Sequence, residues 1–198
     1  TINTLFKCSA VIGRQVYIGN VAEEINHETL DTSSISLDFQ SASTSKMRRG
    51  SGNWETQGFT ASTGYVVIQD ATDATNNVLH TAGAFSDGAG TKDDWAMAVA
   101  FAANRTESAN QVKITQFGEF DGSKILKSAF GKNAGFSNIE YIDLDFGGGI
   151  IQAMESSGDR LFVFSAHQLA IINVAQDIEF LEAQLPNMGV DGHRCVAK

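Results

Sequence analysis

The sequence predicts a mainly β protein, built of antiparallel, propeller-like blades in an incomplete set, with a second β domain inserted into them. Short apolar runs recur along the chain and are separated by glycine beside a polar residue, a pattern typical of strands joined by tight turns. Apolar spacing suited to a helix occurs in one segment, VAQDIEFLEAQL. Its second half also alternates as a strand does, so strand and short helix are both open there.

Residues 5–21, LFKCSAVIGRQVYIGNV, predict the first hairpin. An apolar run precedes the Gly13-Arg14 turn, and an alternating run follows it, with Val16 and Ile18 on one face. Antiparallel pairing of the two runs is therefore expected.

Two later turns are predicted at Asp121-Gly122 and at Gly158-Asp159. Asp-Gly is favoured in two-residue type I′ connections, because both central residues need a positive φ. The two glycines are 36 residues apart, a spacing found in repeats built from four-stranded blades. A closed propeller needs roughly 4 to 8 blades, so this chain would supply part of one.

The hairpin formed by residues 161–164 and 169–174 is apolar along its whole length, with Ser165 to Gln168 as its turn. Strands with continuous apolar sequence are buried on both faces, so sheets are expected on either side. Phe162 and Phe164 are then core residues, and replacing either by Ala should cost about 3 kcal/mol or more.

Residues 29–111 form the predicted insertion, and residues 1–28 with 112–198 form the predicted blade scaffold. The insertion is rich in Ser, Thr, Ala, Asn and Gly. Strands separated by polar loops predict a β-sandwich-like or β-rich loop domain. The strand candidates are SISLDF, GYVVIQD, NNVLHTAG, WAMAVAFAA and QVKITQF.

Composition argues against several classes of partner. Hydrophobic residues make up 42% of the 198, which favours a folded chain with a core. The net charge is −9, and residues 46–49 (KMRR) are the only clustered positive patch, so direct binding of nucleic acid is not expected. No apolar run approaches the roughly 20 residues that span a bilayer, and no membrane contact is expected.

Cys8 and Cys195 each lie in an apolar, strand-like run. Two cysteines make no disulfide framework, so buried free thiols are favoured over a bridge between them. The chain begins at Thr1 without Met and ends in GHRCVAK, which reads as the start of another strand. We expect a piece of a longer polypeptide.

No catalytic, cofactor-binding or metal-binding residue is predicted, and no cofactor. The segment GAGTKDD lacks the spacing of a phosphate-binding loop, and no nucleophile elbow occurs. His167 is expected in a solvated turn. The four histidines are scattered singly, without partners at metal-ligand spacing: His27, His80, His167 and His193.

Two acidic loops could offer oxygen ligands to calcium, although neither follows the EF-hand pattern. Asp and Asn also cluster in turns because they cap and adopt unusual backbone angles, and this interpretation is favoured. Asp143 and Asp145 alternate with apolar residues and are expected on the solvent face of a strand. The loop residues are Asp70, Asp73, Asn76 and Asn77 in the first loop, and Asp87, Asp93 and Asp94 in the second.

Trp54 and Trp95 lie in the predicted insertion, where exposed aromatic rings could stack on sugars. This possibility defines an alternative function, a carbohydrate-binding module centred on the insertion, with the two tryptophans and the two acidic loops as its candidate surface. Against it, Trp95 opens an apolar run that is typical of a core. The triplet at Asn104 matches a glycosylation acceptor, a match that is common by chance.

The segments VIGRQVYIGNV, DGSKILKSAFGKNAGF and GDRLFVFSAHQLAIINVAQDIEFLE resemble large virion proteins of tailed bacteriophages. Chains of that family build β-propeller-like blades, and the order of the segments here agrees with theirs. The resemblance covers residues 1–25 and 115–198. It implies a structural component of a phage particle, with the tail as the candidate location and without catalytic residues.

The leading hypothesis is therefore a non-enzymatic assembly protein of a virion. Its blades would pack against other virion proteins or further copies of itself, and the insertion would form a surface module with possible glycan contact. A hydrolase on a similar scaffold is disfavoured, because no spacing singles out an acid/base pair.

Overall fold

The computed structural model describes residues 4–41, 45–77, 79–86, 93–97, 101, 104–108, 110–129, 131, 136–175 and 178–192. Within these residues the chain is almost entirely strand and loop, with one 3-10 helix at Ala74–Asn76. The prediction of a mainly β protein is confirmed. No helix in this described part is long and apolar enough to cross a membrane.

Fifteen strands account for the described fold, and their bounds follow. They are β1 (Thr4–Ile12), β2 (Gln15–Asp31), β3 (Leu37–Gln40), β4 (Ser45–Arg49), β5 (Tyr65–Gln69), β6 (Leu79–Ser86), β7 (Asp94–Met97), β8 (Arg105–Glu107), β9 (Gln111–Phe117), β10 (Asp121–Ser128), β11 (Phe136–Asp143), β12 (Ala153–Ser157), β13 (Arg160–Phe164), β14 (Gln168–Asn173) and β15 (Phe180–Pro186).

The chain divides into two compact units. Thr1–Glu23 and Phe120–Lys198 together form one, here called the terminal unit, and Glu24–Glu119 form the other, the central unit. Strand β2 contributes its first part to the terminal unit and its second part to the central unit. The insertion of residues 29–111 into a scaffold stays a prediction.

The first sheet of the terminal unit has the order β1-β2-β10-β11, and every neighbouring pair is antiparallel. Ile12 pairs with Gln15 around the two-residue turn, where Gly13 has a φ of +59°. A positive φ carries no steric cost for glycine, which explains its place in the turn. The predicted first hairpin is confirmed.

The second sheet of the terminal unit is a meander in the order β12-β13-β14-β15. Ser157 pairs with Arg160 around the predicted Gly158-Asp159 turn. Ser165 donates its backbone N–H to the carbonyl of Gln168 at 2.9 Å and so closes the turn between β13 and β14. Both predicted turns are confirmed, and the ambiguous segment near residue 180 forms a strand.

The terminal unit has a small buried cluster of Ile18, Val21 and Leu126, and a main core to which both sheets contribute side chains. The Cys8 thiol is buried there, as predicted, and burial raises its pKa to about 11 despite the opposing hydrogen bond to the Gly19 carbonyl. Cys195 lies outside the described residues. The buried members of this core are Cys8, Ala10, Tyr17, Ile125, Leu144, Phe146, Ile151, Met154, Leu161, Val163, Ala170 and Ile172.

The predicted hairpin turn at Asp121-Gly122 is wrong, because both residues lie within β10. Gly122 does not have the positive φ that a type I′ turn needs. It is required for a close approach instead: a Cβ placed there would lie 2.3 Å from Cγ2 of Ile150. Packing against Ile150, and not a turn, therefore explains the glycine at position 122.

Full burial of both faces of the β13–β14 hairpin was also predicted wrongly. Leu161 and Val163 have no exposed surface and belong to the core, whereas Phe162 and Phe164 are only half-buried. One face of the second sheet packs against the first sheet, and the opposite face carries these phenylalanines. The expected cost of about 3 kcal/mol therefore belongs to the inward-facing residues.

The central unit has the strand order β2-β9-β5-β6-β7-β4-β3-β8, again with antiparallel neighbours. Each of the five segments predicted to contain a strand contains one, namely β3, β5, β6, β7 and β9. Most of WAMAVAFAA after Met97 lies outside the described residues. Strands β4 and β8 were not predicted. The described strands form no closed sheet, and the propeller-like assignment stays a prediction.

Candidate interaction surface

The outer face of the second sheet is apolar. We define it by the side chains of Phe162, Phe164, Leu169 and Ile171, which alternate with residues that point into the core. Phe162 lies opposite Ile171 across the strand pair, and Phe164 lies opposite Leu169. Three of these four side chains retain partial exposure, and Leu169 is buried. Pairs of this kind stabilise a sheet and leave an apolar surface available.

Strand β15 forms one edge of this sheet, and among the described strands it pairs with β14 alone. Phe180 and Leu181 on this strand are 46% and 50% exposed. A register shift between Ile171 and Ile172 and the presence of Pro186 interrupt regular pairing along the edge. Such features limit indiscriminate strand pairing, yet an edge strand still offers N–H and C=O groups to another chain.

A groove of about 310 Å³ lies between β11 and β15, the last strands of the two sheets of the terminal unit. Among the residues that line it, Leu144 and Ile172 are buried and Leu181 is half exposed. We call it the β11–β15 groove. Its lining residues are Ile142, Asp143, Leu144, Asp145, Ile172, Glu179, Phe180, Leu181 and Gln184.

Polar contacts join the two sides of the groove. Gln184 donates from Nε2 to the carbonyl oxygen of Asp145 at 2.8 Å. Glu179 accepts hydrogen bonds from Lys127 Nζ, 3.0 Å from both carboxylate oxygens, and from the Tyr17 hydroxyl at 3.3 Å. Burial, and then the nearby Glu179 carboxylate, raise the pKa of Tyr17 above its usual range. Because Lys127 lies on β10 and Tyr17 on β2, these contacts link residues 179–184 to the first sheet and to the segment that follows β11.

The groove has an acidic surround. Asp143 and Asp145 are exposed, as predicted, while Leu144 and Phe146 between and after them are buried. A neighbouring depression of about 400 Å³ shares residues 143–145 and adds the carboxylate of Asp121. No Lys or Arg is among the described residues that line either concavity. The charged side chains that line the two concavities are therefore all carboxylates.

The central unit has a polar depression of about 450 Å³. Asp38 lies in register with Arg48 on one side and Thr106 on the other. Its Oδ1 atom is buried and has no hydrogen-bond partner in the described part of the chain. The depression is lined by Asp38, Phe39, Gln40, Ser41, Asn104, Arg105 and Thr106.

The clustered positive patch of residues 46–49 is neutralised within the central unit. Arg48 donates to both carboxylate oxygens of Asp94, and Lys46 lies 3.2 Å from one of them. These hydrogen bonds, led by that from Arg48, hold the pKa of Asp94 below its usual range. The Arg49 guanidinium is buried and lies 3.0 Å from a carboxylate oxygen of Glu28. The patch is thus strand β4 with its counter-ions.

The candidate sugar platform formed by Trp54 and Trp95 is wrong, because neither ring has any exposed surface. Their ring centroids are 5.4 Å apart in the core of the central unit, and Trp54 donates from Nε1 to the carbonyl of Asp93 at 2.6 Å. Rings buried in this way cannot stack on a ligand. The Gly/Ser sequence around Trp54 gave no sign of this burial.

The predicted histidines do not come together. His80 is buried with its ring centroid 4.8 Å from that of Phe101, His27 is exposed near Thr115, and His167 lies in an exposed turn as expected. His193 lies outside the described residues. No group of three His, Cys, Asp or Glu side chains that could hold a metal occurs in the described ranges.

The two acidic loops use their oxygens locally. Asp70 lies 2.7 Å from Lys113 Nζ, and Asp73 caps the 3-10 helix by accepting from the Thr75 backbone and hydroxyl. The hydroxyl bond first, and then the backbone bond, lower the pKa of Asp73. The Asn77 side chain bonds the backbone of Ala71. Asn76 is buried, Asp93 and Asp94 are buried near β4, and Asp87 lies outside the described residues.

Sequence reasoning missed the β11–β15 groove. The sequence predicts only that Asp143 and Asp145 lie on the solvent face of a strand, and helix and strand are both open for the segment that contains Leu181. The alternation of that segment was the available signal for an edge strand. The position of this strand across the groove from β11 depends on tertiary contacts. The bond between Asp145 and Gln184, for example, joins residues that are 39 apart in sequence.

Of three comparisons with known proteins, only that with solved structures found a similar protein. No family model and no curated protein matches this chain. Among solved structures, the phage phi92 endosialidase is similar over 86% of this chain with a TM-score of 0.32 and 8% identity. The matched region is 36% of that protein, so this chain spans about a third of its length. A TM-score at this level does not establish a shared fold.

Proposed function

We propose that this chain is a non-enzymatic structural protein of a bacteriophage particle, acting through packing and subunit interfaces. The resemblance of residues 1–25 and 115–198 to tailed-phage virion proteins supports this role. The single observation that carries it is the partly exposed apolar face of the second sheet, which suits a scaffold that packs against further sheets.

The sheet order supports the assignment of blades. Each sheet of the terminal unit has four antiparallel strands, and the first sheet follows chain order once the central unit is left out. Propellers repeat four-stranded sheets of this kind, packed face to face. We infer that the two sheets are neighbouring blades and that the central unit is inserted between the second and third strands of the first blade.

A further sheet would cover the outer face of the second blade. Phe162, Phe164 and Ile171 would then lose their remaining exposure, at a gain of about 25 cal/mol for each Å² of apolar surface removed from water. Other virion proteins, or further copies of this chain, are the proposed partners. No catalytic residue is assigned, and the proposed location is the virion.

Quantitative peptide mass spectrometry of gradient-purified particles from the native source tests this role. We expect peptides of this chain in the particle fraction, at a constant ratio to other particle proteins through a second gradient. Recovery only in the soluble fraction, with none in particles, would contradict the proposal.

Carbohydrate binding by the central unit is the second candidate function, and the polar depression around Asp38 favours it. Carboxylate, amide and guanidinium groups in a concave surface match the donors and acceptors of sugar hydroxyls. The orphan Oδ1 of Asp38 would gain a partner from a ligand hydroxyl. The buried tryptophans take no part in this version of the hypothesis.

A glycan array tests the second candidate, with the full chain and the variant Asp38→Asn applied with and without a chelator. Binding that Asp38→Asn weakens, and that Asp159→Asn in an exposed turn leaves unchanged, would support it. No binding to any glycan, or equal binding by both variants, would reject a site at this depression.

A further inference from the structure

We propose that the β11–β15 groove binds an extended segment of a partner protein that carries apolar side chains flanked by Lys or Arg. The inference rests on the proposed assembly role, because the partner would be another component of the particle. It goes further by assigning a site and the chemistry of its occupant.

The apolar part of the site is accessible and partly built. Phe180 and Leu181 are about half exposed, while Leu144 and Ile172, which also line the groove, are buried. Pockets that bind small ligands occupy roughly 300–1,000 Å³, and this groove of about 310 Å³ is at the lower limit. It therefore fits a few side chains of a segment and not a folded domain.

The charge of the site selects a basic segment. Asp121, Asp143 and Asp145 surround the groove and its neighbouring depression, and no cationic residue is among the described lining residues. Two lysines lie nearby, and both have carboxylate partners: Lys124, opposite Asp143 in the strand register, is paired with Glu23, and Lys127 is paired with Glu179. Complementary charge raises the association rate and disfavours wrong partners, so Lys or Arg beside the apolar side chains fits this surround.

The site is formed before binding. The Gln184 contact to the Asp145 carbonyl and the Glu179 contact to Lys127 join the two sheets on either side of the groove. A preformed groove reduces the ordering that binding would otherwise require. The edge of β15 also borders the groove, and an extended segment can pair with such an edge through backbone hydrogen bonds.

Three labelled synthetic peptides test the inference on the full chain by fluorescence anisotropy. KLKFKLK has both required features, ELEFELE reverses its charge, and KSKSKSK keeps the charge without apolar side chains. We expect KLKFKLK to bind at least about tenfold more tightly than either other peptide, a difference equal to about 1.4 kcal/mol. Equal binding of the three peptides, or no binding of KLKFKLK, would overturn the proposal.

Variants locate the binding on the surface. Leu181→Ser should weaken KLKFKLK binding at least about tenfold, and Asp143→Asn combined with Asp145→Asn should weaken it and reduce its dependence on salt. Val11→Ser is the matched control, since Val11 is a strand residue of the same unit that is 59% exposed and outside the groove. Thermal unfolding checks that each variant folds.

The outcomes separate this inference from the proposed function. If Leu181→Ser and the double Asp variant bind as tightly as the native chain, or if Val11→Ser weakens binding as much as they do, the groove is not the site. Particle mass spectrometry does not depend on this result. A chain found in particles that binds no peptide would keep the assembly role and reject the groove.

Discussion

Residues on the two faces of β13 differ in burial. Leu161 pairs with Ile172 across the strands, and both point into the core between the two sheets. Phe162 pairs with Ile171 on the outer face and keeps part of its surface in water. Leu161 thus contributes mainly to stability, whereas its neighbour Phe162 also contributes to the exposed apolar surface.

Leu161→Ala should lower the free energy of unfolding by about 3 kcal/mol, because it removes a fully buried side chain and leaves a cavity. Phe162→Ala should cost less than Leu161→Ala, since its side chain already keeps solvent contact. Urea denaturation of both variants measures the difference. An equal or larger loss for Phe162→Ala would show that the outer face is covered in the isolated chain.

The Cys8 thiol should make stability depend on pH above neutrality. Its pKa is about 11 in the folded chain and 9.0 in the unfolded reference, so the neutral thiol is favoured by folding. That contribution is complete below pH 9 and is lost as the pH rises through about 11. In urea denaturation at pH 8 to 11, Cys8→Ala should show a smaller decline than the native chain. Parallel declines would contradict this role.

Asp94 should contribute to stability in the opposite pH range. Its folded pKa lies below the reference value of 3.8, chiefly through the Arg48 hydrogen bond, so its contribution is present above pH 3.8 and is lost as pH falls through the lowered value. Asp94→Asn should cost about 1–3 kcal/mol at pH 7, because bonds to charged groups are lost. Denaturation at pH 7 and pH 3 checks whether the two proteins converge in acid.

At the scale of elements, close packing between a strand and a loop determines the course of β10. Gly122 lies where a Cβ would meet Ile150, and the Gly122 carbonyl accepts the backbone N–H of Ile151 at 2.8 Å. This contact ties the connection between β11 and β12 to the start of β10. It also shapes the acidic depression beside the β11–β15 groove.

Gly122→Ala should therefore lower the free energy of unfolding by about 1–3 kcal/mol through overpacking. Ile150 is half exposed, so Ile150→Ala alone should cost little and should relieve part of the clash in the double variant. A double-mutant cycle by urea denaturation measures this coupling. If the two losses simply add, contact with Ile150 is not the reason for glycine at this position.

At the scale of the whole molecule, each unit has its own core. The core of the terminal unit contains neither tryptophan, whereas Trp54 and Trp95 both lie in the core of the central unit. The chain has two tryptophans in all, so indole fluorescence reports on the central unit alone. Separate cores are the basis on which parts of a chain can unfold separately.

Leu161→Ala should accordingly shift the unfolding transition seen by circular dichroism more than the transition seen by tryptophan fluorescence. The substitution weakens the core of the terminal unit and leaves the indole environment unchanged. Parallel thermal scans with both signals test this. Identical shifts in the two signals would show that the units unfold as one cooperative structure.

The sequence by itself determined the β class, the Gly13-Arg14 and Gly158-Asp159 turns and the turn after Phe164, because alternation and turn chemistry are local properties. Only the tertiary structure decided which face of β13 is buried and that both tryptophans are internal. It also brought Ile150 against residue 122, where only glycine fits, and placed β11 and β15 on either side of a groove. Those features depend on side chains far apart in sequence, such as Asp145 and Gln184. Local patterns contain no information about such contacts, since the same apolar strand can face a core, a partner or solvent.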